Sequence, residues 1–237
     1  MGTSGEYGGS SSAAWKQARD SWLELLASDG EGAVSKAAIS AARAVGGSTK
    51  GGDTASPTAG GRSGRAARLV SGARSGGRAI AAAYAYDRGD ADTLAGLGLD
   101  LAELQEMSLK QRCQAILDAT MAAVDQPDDV AMRRAALAIL KDMLGADAMP
   151  AAIDAVKAFL VNYIFEIALV EVARTRQESR LSASELASRE KRARDYLRRR
   201  VDALDLSLDG ASVAPSALSD AMVRLLPVVT AIVGGPE

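Results

Sequence analysis

The sequence predicts an all-α protein: a helical, bundle-like C-terminal domain preceded by a flexible arm rich in Gly, Ser and Arg. Three observations carry that expectation. Of 237 residues, 48% are hydrophobic but only 4% aromatic, and Ala and Leu dominate the apolar set, which favours helix over sheet by intrinsic propensity. From about Asp92 onward, helix start signals alternate with apolar residues at helical spacing. Before that point, Gly- and Ser-rich stretches separate shorter apolar runs, a composition that buries too little surface to offset the entropy of ordering. The boundary therefore falls between an arm with short helices over 1–91 and a helical domain over 92–237.

Within the arm, Ala13 to Ala27 places Trp15, Ala18, Trp22, Leu25 and Leu26 on roughly one face, the pattern of a short amphipathic helix. Both tryptophans of the chain lie there, so this segment either packs back on the body or anchors on a partner, where aromatic residues supply much of the binding energy. Ala33 to Val45 reads as an alanine-rich helix, and Gly46 to Gly64, which contains Pro57, as a low-complexity linker. Arg65 to Tyr86 reads as a helix interrupted by Gly72, Gly76 and Gly77, each costing about 1 kcal/mol relative to Ala. Such interruptions argue against a rigid helix reading a DNA sequence.

Five helices follow in the domain. Ser108 with Gln111 forms a capping-box pattern that opens a helix to Val124, its apolar face continued by Ile116, Leu117 and Met121. Pro127, Asp128 and Asp129 suit the first turn of a second, which runs to Gly145. Pro150 starts a third, extending to Gln177, whose Phe159 to Ala173 stretch is apolar nearly all round, as in a central buried helix. It is too short for a transmembrane span of about 20 residues, and Asn162 and Glu166, four apart on one face, interrupt it. These two read as a polar contact inside the core or at its rim. Ser182 with Glu185 opens a fourth helix through Leu204, and the fifth covers Pro215 to Ile232, bent or split by Pro227.

Composition excludes several chemistries. No histidine occurs, which removes the commonest general base and transition-metal ligand. Carboxylates are scattered beside Lys and Arg, as on solvated helix faces, and neither a P-loop nor a glycine-rich strand-to-helix turn is present. The chain reads as no enzyme and calls for no cofactor. The single Cys113 and the lack of a secretory signal at the start point to a reducing, cytoplasmic setting.

Charge is uneven. Residues 1–88 hold eleven Lys and Arg against seven Asp and Glu, whereas residues 89–237 hold 17 against 23. Arg62, Arg65, Arg68, Arg74 and Arg78 form an acid-free basic run, and Arg189, Lys191, Arg192, Arg194, Arg198, Arg199 and Arg200 form a second basic region. Each fits a solvated or partner-facing surface, or phosphate contacts. With only Tyr84 and Tyr86 nearby for stacking, nucleic-acid binding is expected to be weak and salt-sensitive.

The opening Met1-Gly2-Thr3-Ser4, followed by a tract containing Gly5, Tyr7, Gly8 and Gly9, holds two readings. One is ordinary terminal disorder. In the other, trimming of Met1 exposes the Gly2 amine, whose reference pKa of about 7.7 to 8.0 leaves it partly neutral and nucleophilic. Myristoylation of Gly2 fits poorly, because Glu6 stands where Ser or Thr is wanted.

The same opening, an Arg-, Gly- and Ala-rich middle (Gly60-Gly61-Arg62-Ser63-Gly64-Arg65 and Ser75-Gly76-Gly77-Arg78), and an acidic helical half, in that order, resemble the QatB component of bacterial Qat anti-phage defence systems. The arm departs from that family in having no proline before Pro57 and in carrying Trp15 and Trp22. The resemblance implies three companions: an ATPase, a QueC-like enzyme of the QatC type and a TatD-like nuclease. It also implies that Gly2 is an acceptor, linked by an amide to 7-carboxy-7-deazaguanine, and on that expectation Thr3 and Ser4 hydrogen-bond inside the channel of the QueC-like partner, Tyr7 contacts its mouth, and Trp15 and Trp22 anchor the following helix outside it. Two other classes stay open beside this one, a nucleic-acid adaptor using the arginine-rich regions and a structural scaffold bridging defence subunits.

Overall fold

The structure, a computed structural model, describes residues 12–28, 30–49, 62–208 and 212–235. Among these residues there are eleven helices and no strand, as composition predicts. They are α1 (Ala13–Ala27), α2 (Glu31–Thr49), α3 (Arg62–Arg88), α4 (Ala91–Gly96), α5 (Leu101–Glu106), α6 (Leu109–Thr120), α7 (Pro127–Leu144), α8 (Ala152–Glu171), α9 (Ala173–Glu178), α10 (Ala183–Asp202) and α11 (Pro215–Val233).

Local signals set several ends. In α6 the Ser108 Oγ accepts from the Gln111 backbone N–H (3.4 Å), and Gln111 Oε1 accepts from the Ser108 N–H (3.0 Å). The same reciprocal cap opens α10, at 3.3 and 2.9 Å between Ser182 and Glu185, satisfying N–H groups that no helical carbonyl can reach. The helix expected from Pro150 to Gln177 divides at Val172 (φ −99°, ψ 11°) into α8 and α9. Pro227 lies inside α11 without splitting it.

α8 is the centre of the bundle. Phe159 to Phe165 and Ile167 to Leu169 are all buried, and α7, α3, α10, α2 and α11 pack around this helix. α11 lies chiefly against α3, with further contact to α2 and α8. It is the one helix among the described residues long and apolar enough to cross a membrane by length and composition, and half of that apolar window is buried inside this bundle.

The expected boundary at residue 91 is corrected. Trp15, Val34, Leu69 and Ile80 from α1, α2 and α3 join the same buried cluster as Ile116, Phe159, Leu197 and Val229. The expected linker is also shorter at both ends, since residues 46–49 finish α2 and residues 62–64 begin α3; its remainder lies outside the described residues. The physical reason is close packing of small residues. α3 runs through Gly72, Gly76 and Gly77 without a break, because a Cβ at Gly72 would strike the Tyr163 hydroxyl and one at Gly76 the Phe159 ring. A Cβ at Gly77 would lie 2.6 Å from the Ser219 backbone nitrogen. Helix propensity is sacrificed at these glycines for close approach of α3 to α8 and α11.

Candidate functional site at the start of α1

α1 opens at Ser12, the first described residue. Ser12 caps it by accepting from the Trp15 N–H (3.3 Å), and three residues further on the chain is fixed by Trp15, whose side chain is fully enclosed. The indole N–H of Trp15 donates to Ser48 Oγ (3.0 Å), and that hydroxyl donates to the Ala44 carbonyl (2.9 Å). The C-terminal turn of α2 thereby holds the first turn of α1.

Over the Trp15 ring lies the Arg65 guanidinium, 4.9 Å from the ring centroid, an attractive placement of a cation on an aromatic face. Arg65 is also an ionic hub. Its Nη1 donates to Glu171 Oε1 and its Nη2 to Asp128 Oδ1 (3.1 Å), while Arg19 Nη1 donates to Glu171 Oε2 (3.5 Å). Side-chain exposure is 0% for Glu171, 5% for Asp128 and 11% for Arg65, against 27% for Arg19, so most of this four-charge cluster has left water. The α1, α3, α7 and α8 helices each supply one member.

Burial raises the Asp128 pKa above the ordinary carboxylate range, opposed by the Arg65 charge and reinforced by Glu171. Desolvation therefore outweighs pairing at this carboxyl, as is common for ion pairs taken out of water. Nearby, the Tyr163 hydroxyl donates to the Leu69 carbonyl (3.1 Å), and burial pushes its pKa well above the phenol range. The cluster balances two arginines against two carboxylates. It suits cross-linking of helices.

Gly2, Thr3, Ser4 and Tyr7 lie outside the described residues. Trp15 and Trp22 are inside the core at 0% and 1% exposure, so the expectation of outward anchors is corrected: these rings pack back on the body and offer a partner no surface in this conformation. Trp22 tilts against Phe165 with ring centroids 5.9 Å apart. Its indole N–H is buried and makes no hydrogen bond among the described residues.

The two basic regions are also divided by the fold. In the first, Arg65 turns inward to the cluster while Arg68 and Arg74 are exposed. In the second, Arg189 donates to the Leu25 and Leu26 carbonyls (2.8 and 2.7 Å), closing the C-terminal end of α1. Arg194 donates to Glu166 (3.2 Å), with Arg134 4.0 Å from the same carboxylate, and its guanidinium stacks over Phe165 at 4.4 Å. Asn162 is buried and Glu166 half-buried, matching the core-or-rim expectation for this pair. Burial raises the Glu166 pKa, and the arginines oppose it.

Sequence reasoning missed Arg19, Asp128 and Glu171 as members of one cluster. A signal for Glu171 was present, since it follows the apolar run Ile167-Ala168-Leu169-Val170 and an acid in such a setting requires a cation. Among the described residues, no group of three or more His, Cys, Asp or Glu side chains is placed to hold a metal ion. Cys113 is buried, and desolvation raises its thiol pKa.

Fold and cluster together define an all-α body in which buried charges fasten α1 to α3, α7 and α8. No protein-family model, curated protein or solved structure matches the chain.

Proposed function

We propose that this chain is a non-catalytic, cytoplasmic component of an anti-phage defence complex, and that its Gly2 amine is the substrate of a QueC-like partner. Carrying the reading is the fastened root of the arm. With Ser12 capping α1 and Trp15 locked by Ser48 and Arg65, the first turn of α1 is held by the body. The ten residues from Gly2 to Ser11 span at most about 35 Å when extended, which sets the depth to which Gly2 can enter a partner. A terminal glycine has no side chain to obstruct a narrow channel.

In the reaction, the carboxylate of 7-carboxy-7-deazaguanine attacks the α-phosphorus of ATP on the partner, forming the acyl-adenylate and releasing pyrophosphate. The neutral Gly2 nitrogen attacks the acyl carbon. A C–N amide bond forms, the C–O bond to AMP breaks, and the amine proton passes to solvent. Thr3, Ser4 and Tyr7 contact the channel, whereas Trp15 and Trp22 act from inside the body by keeping the root in place. The ATPase and the TatD-like nuclease are the further partners of the complex.

Peptide mass spectrometry of the mature N-terminus, after coexpression with the partner and a deazaguanine supply, tests the reading. Loss of Met1 and a deazaguanine amide on Gly2 are expected. An unmodified Gly2 beside an active partner overturns the proposal.

A further inference from the structure

Two exposed surfaces carry opposite charge without a salt bridge among the described residues. Between residues 87 and 106 there are six acidic side chains and one basic, all exposed. Asp90 and Asp100 cap α4 and α5, while Asp87, Asp92, Glu103 and Glu106 have no such task. None of the six forms a salt bridge among the described residues. Within the segment the one cation, Arg88, leans over the Tyr84 ring at 5.8 Å, and from α6 the Arg112 guanidinium donates to the Leu104 and Met107 carbonyls.

On α10, Arg198 and Arg199 are exposed and Arg200 is half-exposed. Ala193, Leu197 and Val201 form the seam that this helix buries, so the arginines flank the seam on the solvent side. They too form no salt bridge among the described residues, although Arg199 shares a surface cleft with Glu31 and Asp195. Position in the last turn accounts for favourable placement of Arg199 and Arg200 near the negative end of the helix, but it leaves their full charges in water. α10 packs on α2 and α8, and the acidic lobe is carried by α3 and α6.

We infer that the basic face of α10 docks on the acidic 87–106 lobe of a second copy of this chain. Charge complementarity selects the occupant: both halves of the contact are on the same molecule, on different elements, and neither is paired by a salt bridge among the described residues. Unlike patches meeting in this way make a reciprocal dimer if each copy gives and receives once, and a longer array otherwise. The contact is electrostatic and hence salt-sensitive, because screening shortens from about 30 Å at 0.01 M to about 3 Å at 1 M ionic strength. It is independent of the chemistry of the arm.

Sedimentation velocity of the full chain is the test. In roughly 10 mM salt, where charges act over tens of ångströms, the mass should be at least double the 24.4 kDa of one chain, and 1 M salt should return it to one chain. Reversing the α10 face (Arg198→Glu, Arg199→Glu and Arg200→Glu together) should give a monomer with unchanged helical circular dichroism. Reversing the lobe (Asp92→Lys, Glu103→Lys and Glu106→Lys together) should do the same. Mixing the two reversed proteins pairs unlike charges again and should restore association. A wild-type monomer in low salt overturns the inference, including one that binds duplex DNA through α10. Association that survives 1 M salt, or a mixture of folded reversed proteins that stays monomeric, also overturns it.

Discussion

The helices α1 to α3 and the segment α6 to α11 contribute to one buried cluster by different means. α6 to α11 present capping boxes, Pro at first turns and stripes of Leu, Ile, Val and Phe, and these are the features that sequence patterns register. α2 and α3 bury Ala37, Ala38, Ala41, Ala42, Ala81, Ala82 and Ala83 almost completely and let glycines touch neighbouring aromatic rings. Small residues carry little signal of burial, since each has little apolar area. They still bring helix axes close together, and the partner helices supply the large side chains. The comparison teaches that an Ala- and Gly-rich stretch beside a helix with large apolar residues is a packing surface in its own right.

The largest expected effects would break that comparison. If residues 13–88 were only an arm, substitutions there would leave the body's stability untouched. Instead, Trp15→Ala should destabilise by about 3–5 kcal/mol, as Phe159→Ala should in α8, in urea unfolding followed by circular dichroism. Arg65→Ala strips buried Asp128 of its ion-pair partner, leaves Glu171 with Arg19, and should cost about 3–5 kcal/mol by the same measurement. A loss below about 0.5 kcal/mol, typical of surface positions, would return both residues to a flexible arm.

Gly77→Ala sharpens the argument from close approach. Its added carbon meets backbone atoms of Leu218 and Ser219, which cannot rotate away, so a loss of about 1–3 kcal/mol is expected despite the better helix propensity of alanine. A gain in stability would show that α3 and α11 are further apart. Among the legible helices, Ser108→Ala and Ser182→Ala should each lose about 1 kcal/mol through their caps.

Asp128→Asn is a subtler probe. Its carboxyl has a raised pKa in the fold, so the folded chain binds the proton more tightly than the unfolded one. This group's effect on stability is absent below the unfolded pKa and becomes unfavourable as pH rises through the unfolded and then the folded value. Stability of the wild type relative to Asp128→Asn should therefore fall from about pH 3.9, the ordinary Asp value, upward. Denaturant midpoints of the two proteins at acid and neutral pH check the sign, and an opposite slope would show that pairing with Arg65 outweighs desolvation.

Much of the C-terminal half was legible in the sequence. Ser108 with Gln111, Pro127, Ser182 with Glu185 and Pro215 mark starts that the structure reproduces, because a cap is a local interaction within four residues. Burial of α8 followed from its run of apolar residues. The core role of α1 to α3 was not legible, since it rests on contacts such as Gly76 with Phe159, more than eighty positions away. The cluster was hidden for the same reason: Arg65 resembles its neighbours Arg68 and Arg74 in sequence, and only the arrival of Asp128 and Glu171 distinguishes it. Trp15 and Trp22 were recognisable as one amphipathic face, while the identity of the surface covering that face required the fold.

Hydrogen exchange read by mass spectrometry on the full chain tests the single-core account most directly. Amides of Trp15 to Leu26 in α1 and Ala79 to Ala85 in α3 should exchange as slowly as those of Phe159 to Leu169 in α8, opening with the same global free energy. Rapid exchange across α1 and α3 beside a protected α8 would contradict it.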